Sequence, residues 1–117
     1  SYGQLGILAQ RRGDLDQAED WYKKSLKISE ALGNRTGLAK TYHQLGIVAE
    51  LRGDLDQAEA WYKKSLEIKE ALGNRPGMAT TYGQLGLLAE QREDVAGAFA
   101  WTIRCILLFD AFGKRRK

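Results

Sequence analysis

A single cysteine, Cys105, a single histidine, His43, and a single proline, Pro76, stand in a chain of 117 residues. One thiol cannot close an internal disulfide, and one thiol with one imidazole is too small a set of soft ligands for a zinc site. No metal and no cofactor is expected. No apolar run approaches the roughly 20 residues that cross a bilayer, and the opening SYGQLGILAQRR lacks a basic start followed by a signal-peptide core. A cytoplasmic setting without a membrane partner follows as the expectation. No glycine-rich phosphate loop follows a strand pattern and no paired metal ligands share a helical face, so no catalytic residue is assigned and no enzyme is expected. The net charge of +3 is a small excess, and four basic residues lie together in Lys114-Arg115-Arg116-Lys117. Glu and Asp interleaved through the rest leave no continuous basic face for nucleic acid.

What is present is repetition. YGQLGILAQRRGDLDQAEDWYKKSLKISEALGNR from Tyr2 returns as YHQLGIVAELRGDLDQAEAWYKKSLEIKEALGNR from Tyr42 and, more divergently, as YGQLGLLAEQREDVAGAFAWTIRCILLFDAFGKR from Tyr82, a period of 40 residues. A fixed period in this range is the signature of a stacked array, in which each unit buries its apolar face against its neighbours.

In the second copy, Tyr42, Leu45 and Ala49 fall at i, i+3 and i+7, one stripe of a helix. That first helix is expected to begin near Asn34, because Pro76 in the next copy occupies the matching first turn, and to stop at Gly53, which takes the left-handed conformation. Asp54 is placed to cap a second helix, with Gln57 three residues on completing a capping-box pattern. The buried stripe of the second helix reads Ala58, Tyr62 and Leu66, with Trp61, Ile68 and Leu72 beside it, and Gly73-Asn74 ends it. Each copy is thus two antiparallel helices.

On these residues the chain resembles the tetratricopeptide repeat family. Tyr2, Leu5, Gly6, Gly13, Ala18 and Tyr22 carry the motif in the first copy, and Tyr42, Leu45, Gly46, Gly53, Ala58 and Tyr62 in the second. In the third, Tyr82, Leu85, Gly86 and Ala98 remain, but Glu93 replaces the turn glycine and Thr102 the tyrosine. The Leu-Gly-Asn linkers and the longer period are similar to a subclass found in scaffolds that modulate G-protein signalling and in bacterial or archaeal multidomain regulators. The resemblance implies an all-α solenoid of three hairpins, 1–40, 41–80 and 81–117, stacked as a right-handed superhelix in a single array. Aligned to Thr41, Ser1 falls inside a first helix, so the chain is expected to be part of a longer array.

In this family the first helix of each hairpin lines a concave groove that binds proteins. Carried over copy by copy, the groove positions are Gly3, Gln4, Ile7, Gln10 and Arg11, then His43, Gln44, Ile47, Glu50 and Leu51, then Gly83, Gln84, Leu87, Glu90 and Gln91. The lysine and asparagine with which chaperone-binding members clamp a terminal carboxylate are missing. Instead Ile7, Ile47 and Leu87 form an apolar ladder flanked by Gln4, Gln44 and Gln84, a surface for an extended or helical peptide with apolar anchors. His43 reads first as an idle surface histidine and second as a groove contact, with a metal or catalytic role set aside.

A competing surface lies in the third copy. Where the second has Glu59, Lys63 and Glu67, the third has Phe99, Ile103 and Leu107, with Leu108, Phe109 and Phe112 extending the apolar character. Such a stripe is an expected contact site, covered by a following helix or by a second copy of the chain; on this reading the array is a structural spacer or self-association element of a larger regulator.

Other constellations have plain structural readings. Arg12-Gly13-Asp14 and Arg52-Gly53-Asp54 spell an adhesion tripeptide but stand where one helix ends and the next is capped. Trp21, Trp61 and Trp101 follow the period and are assigned to packing between helices. Lys23 and Lys63 lie four residues after Glu19 and Glu59, which makes a paired, solvated helix face. Cys105 replaces Ser25 and Ser65 and is assigned to a helix contact. The terminal basic run is read as a solvated, disordered tail.

Overall fold

The computed structural model describes residues 2–115, and the side chains of residues 2–108. Among the described residues six helices follow one another: α1 (Tyr2–Arg11), α2 (Leu15–Leu32), α3 (Arg35–Leu51), α4 (Leu55–Ala71), α5 (Arg75–Gln91) and α6 (Val95–Arg115). No strand occurs among the described residues, and the fold is an all-α repeat of hairpins.

The turn chemistry sets these boundaries. Gly13, Gly33, Gly53 and Gly73 all adopt positive φ between 66° and 81°, the left-handed conformation that ends a helix without steric cost. In the third copy Glu93 is held at φ 60° in the place of Gly53. Asp14, Asp54 and Asp94 each accept the backbone N–H three residues on, at 2.9–3.1 Å, satisfying an otherwise orphaned donor of the following helix. Asn34 and Asn74 do the same for α3 and α5. The RGD tripeptides are therefore turn and cap.

The chain forms two compact units, Ser1–Ile68 and Lys69–Lys117. In the first, Ala9, Ala18, Tyr22, Leu45 and Val48 make the core, with Leu15, Trp21, Leu26 and Trp61 packed on it. Burying a side chain such as Leu45 or Tyr22 contributes about 1.5–3 kcal/mol. The Ser65 hydroxyl donates to the Ala39 carbonyl at 2.8 Å, tying α4 to α3.

In the second unit Ala79, Leu85, Leu88 and Ala89 are buried. Cys105 Sγ contacts the Ala79 carbonyl oxygen at 3.7 Å, the position that Ser65 takes toward Ala39, so the thiol fills a helix contact. Lys69, on the last turn of α4, is buried and donates to Thr81 Oγ1 at 2.9 Å.

The α4 stripe departs from expectation at its end. Leu72 is 46% exposed and Ile68 half-buried. Counting by seven from Tyr62 leads to Lys69, so the packed face runs through the lysine and leaves Leu72 beyond the helix, to one side. At the other end of the chain α6 continues through Lys114 and Arg115, which extends helix into the run read as a disordered tail; Arg116 and Lys117 lie outside the described residues.

Candidate functional site

The two near-identical copies place a tyrosine of the second helix against a glycine of the first. A Cβ on Gly46 would stand 2.6 Å from Tyr62 Cε1, and one on Gly6 would overlap the Tyr22 ring in the same way. The absence of a side chain lets each ring cross beneath its neighbouring helix and carry its hydroxyl to the far side. Tyr22 Oη lies 3.0 Å from Gln10 Oε1 on α1 and 3.4 Å from Gln44 Oε1 on α3. Tyr62 Oη donates to Glu50 Oε1 at 3.0 Å, and the His43 ring tilts against Tyr62 with centroids 5.4 Å apart.

These contacts give several predicted groove residues a structural task. Gln10, Gln44 and Glu50 are acceptors for the tyrosine hydroxyls and are half-buried, as is His43. Ile7 lies one turn before Gln10 and Ile47 one turn after Gln44, on the side of their helices that Tyr22 reaches. Ile7 is exposed and Ile47 half-buried. Gln4, Arg11 and Leu51 are exposed. On α5, Gln84 is half-buried while Leu87, Glu90 and Gln91 are exposed.

Burial pushes the Tyr22 hydroxyl above its ordinary pKa. Burial, reinforced by the negative charge of Glu50 and the hydrogen bond to it, raises that of Tyr62 further. Both remain proton donors at neutral pH, so the acceptors they engage stay fixed.

A second recurring element is aromatic. Tyr2 stacks on Trp21, Tyr42 on Trp61 and Tyr82 on Trp101, with centroids 5.4–5.9 Å apart. A cation covers each indole: Lys24 at 4.7 Å, Lys64 at 5.1 Å and Arg104 at 4.7 Å. The tryptophans thus serve packing between helices. Glu19–Lys23 and Glu59–Lys63 are paired at 3.3 and 2.8 Å, and Arg52 also reaches Asp16 and Glu19 from the end of α3.

On α6, Phe99, Ile103 and Leu107 are exposed, together with Ile106. The Phe112 side chain lies outside the described residues. Among the described residues no group of three or more His, Cys, Asp or Glu is placed to hold a metal ion, and no helix is long and apolar enough to cross a membrane.

The reach of Tyr22 and Tyr62 is what sequence reasoning missed. The signal was present as a repeated spacing, Gln10 to Tyr22 and Glu50 to Tyr62, an acceptor and a phenol twelve residues apart in each copy.

The model of one protein family, described as tetratricopeptide repeat, matches residues 1–71 and again 52–106. No curated protein matches the sequence. Among solved structures, the crystal structure of BtubC (BKLC) from P. vanneervenii is similar, with a TM-score of 0.84 and 27% identity, covering 92% of this chain. The match spans 44% of the length of that protein.

Proposed function

This chain belongs to the tetratricopeptide repeat family, and from that premise we propose that it is a non-catalytic protein-interaction module which takes a peptide or helix of a partner on the first-helix face of its hairpins. The supporting observation is the engagement of Gln10 and Gln44 by one hydroxyl, that of Tyr22. That hydroxyl ties one side chain of α1 and one of α3 to the same residue of α2, and Ile7 and Ile47 would serve as the apolar anchors on those two helices. Affinity would come from burying those anchors at about 25 cal/mol per Å², less the cost of ordering the peptide. Leu51 and Arg11 at the ends of α3 and α1 extend the surface.

A peptide selected on the chain from a displayed library tests this reading. Ile47→Glu is expected to abolish its binding with the helical circular dichroism unchanged; undiminished binding would move the site to another face.

A second reading rests on α6, where Phe99 is 66% and Leu107 61% exposed. A second copy of the chain covering these side chains would make the array a self-associating spacer. Sedimentation of the chain and of Leu107→Glu separates the two: dissociation by Leu107→Glu with peptide binding retained supports self-association, and a monomer at all concentrations removes it.

A further inference from the structure

The third hairpin lacks the tyrosine that fills the first two. Thr102 stands in the place of Tyr22 and Tyr62, and its hydroxyl turns back along α6 to donate to the Ala98 carbonyl at 2.8 Å. A Cβ on Gly86 would meet nothing nearer than 3.6 Å, ordinary van der Waals distance, where its counterpart on Gly46 would run into a ring. The space beside Thr102 is part of an open cavity of about 420 Å³ between α5 and α6, lined by Gly86, Leu87, Glu90, Val95, Phe99 and Thr102 among others. For scale, an apolar cavity of about 150 Å³ suffices for benzene.

We propose that this cavity is a binding site for the tyrosyl side chain of a partner polypeptide, its phenol lying where Tyr62 lies in the second hairpin and donating to Glu90. The chain itself shows the geometry it would accept. Glu90 occupies the repeat position of Glu50, which receives the Tyr62 hydroxyl at 3.0 Å, and a hydrogen bond to a carboxylate is stronger than one to a neutral acceptor. Leu87 and Phe99, both more than half exposed, supply apolar walls that an aromatic ring would cover. Open floor, apolar walls and two carboxylates at the rim, Glu90 at the repeat position of Glu50 and Glu93 on the turn, favour tyrosine over phenylalanine through the hydroxyl alone. Because Glu90 is exposed to water, the preference is modest, about threefold to tenfold.

The site is separate from the α1–α3 surface, and the two readings fail separately: Ile47→Glu leaves this cavity unchanged, and Thr102→Tyr leaves Ile7 and Ile47 in place. Heteronuclear NMR titrations of the isotope-labelled chain with N-acetyl-tyrosinamide, N-acetyl-phenylalaninamide and 4-methylphenol test it. The amide signals of Gly83 and Gly86 are expected to shift and saturate with the tyrosine derivative at about threefold or more lower concentration than with phenylalanine. Thr102→Tyr is expected to abolish these shifts. Glu90→Leu, an exposed change that does not depend on repacking the hairpin, is expected to keep binding while removing the preference. Equal affinity for the two amino-acid derivatives, shifts confined to other residues, or binding untouched by Thr102→Tyr would overturn the proposal. Binding of 4-methylphenol without the tyrosine derivative would overturn it as well, by showing a site for free phenols.

Discussion

Tyr62 lies so close beneath Gly46 that no side chain fits between them, the nearest ring atom standing 2.6 Å from where a Cβ would be. Gly86, at the same place in the third hairpin, faces only ordinary contacts at 3.6 Å. Gly46→Ala is therefore expected to force the ring aside and lower stability by about 1–3 kcal/mol. Gly86→Ala gains helix propensity without a clash and is expected to raise stability by up to about 1 kcal/mol. Urea denaturation of the two variants, followed by circular dichroism, checks the opposite signs.

Glu93 holds the left-handed conformation that glycine holds in the other two hairpins. An L-residue with a Cβ is disfavoured there by about 1 kcal/mol. Glu93→Gly is expected to raise the midpoint of urea denaturation, and Gly53→Glu to lower it. Equal midpoints for Glu93→Gly and the parent would show that the turn is relaxed.

Alkaline pH should weaken the first two hairpins. The folded pKa values of Tyr22 and Tyr62 are raised above the ordinary value of 10.0, so their stabilisation is fully present below pH 10. Above it, the unfolded chain releases protons that the folded chain retains, and stability falls until the folded hydroxyls ionise. Each group contributes up to about 1.4 kcal/mol per pH unit in that window. Tyr62→Phe, though less stable at neutral pH, is expected to show a shallower decline from pH 10 to 11 in urea titrations.

Lys69 carries the opposite sign. Its burial lowers the pKa from 10.5, so the unfolded chain binds the proton more tightly and stability rises with pH between the folded value and 10.5. Lys69→Met removes the cost of burying an ammonium group whose partner is the neutral Thr81 hydroxyl. The variant is expected to melt at higher temperature at pH 7, with the difference shrinking toward pH 10.5. A lower melting temperature would mean that the hydrogen bond to Thr81 outweighs desolvation.

The hairpins were legible because their punctuation is local. Asn34, Asp54, Gly53 and Gly73 each act through their own backbone or the next turn, and periodicity then assigns Ala58, Tyr62 and Leu66 to the packed face. Exposure of the α6 residues Phe99, Ile103 and Leu107 was legible in the same way, by register against Glu59, Lys63 and Glu67. The reach of a side chain was not. Nothing in a 3.6-residue period says that Tyr22 passes under Gly6 and meets acceptors on two helices, which gives the groove positions Gln10 and Gln44 a supporting task. Lys69 was hidden by its type, since lysine is rarely buried, although it stands in register with buried Ser29.

The double reach of Tyr22 bears on how the first compact unit comes apart. A side chain on α2 that touches both its own hairpin partner and the next helix is a nearest-neighbour coupling in the sense of a one-dimensional Ising chain. Fraying of α1 would then release a contact that α3 shares, and slow hydrogen exchange in α2 and α3 would report one opening event in place of two. A phenol thus acts as the link through which cooperativity passes from one repeat to its neighbour.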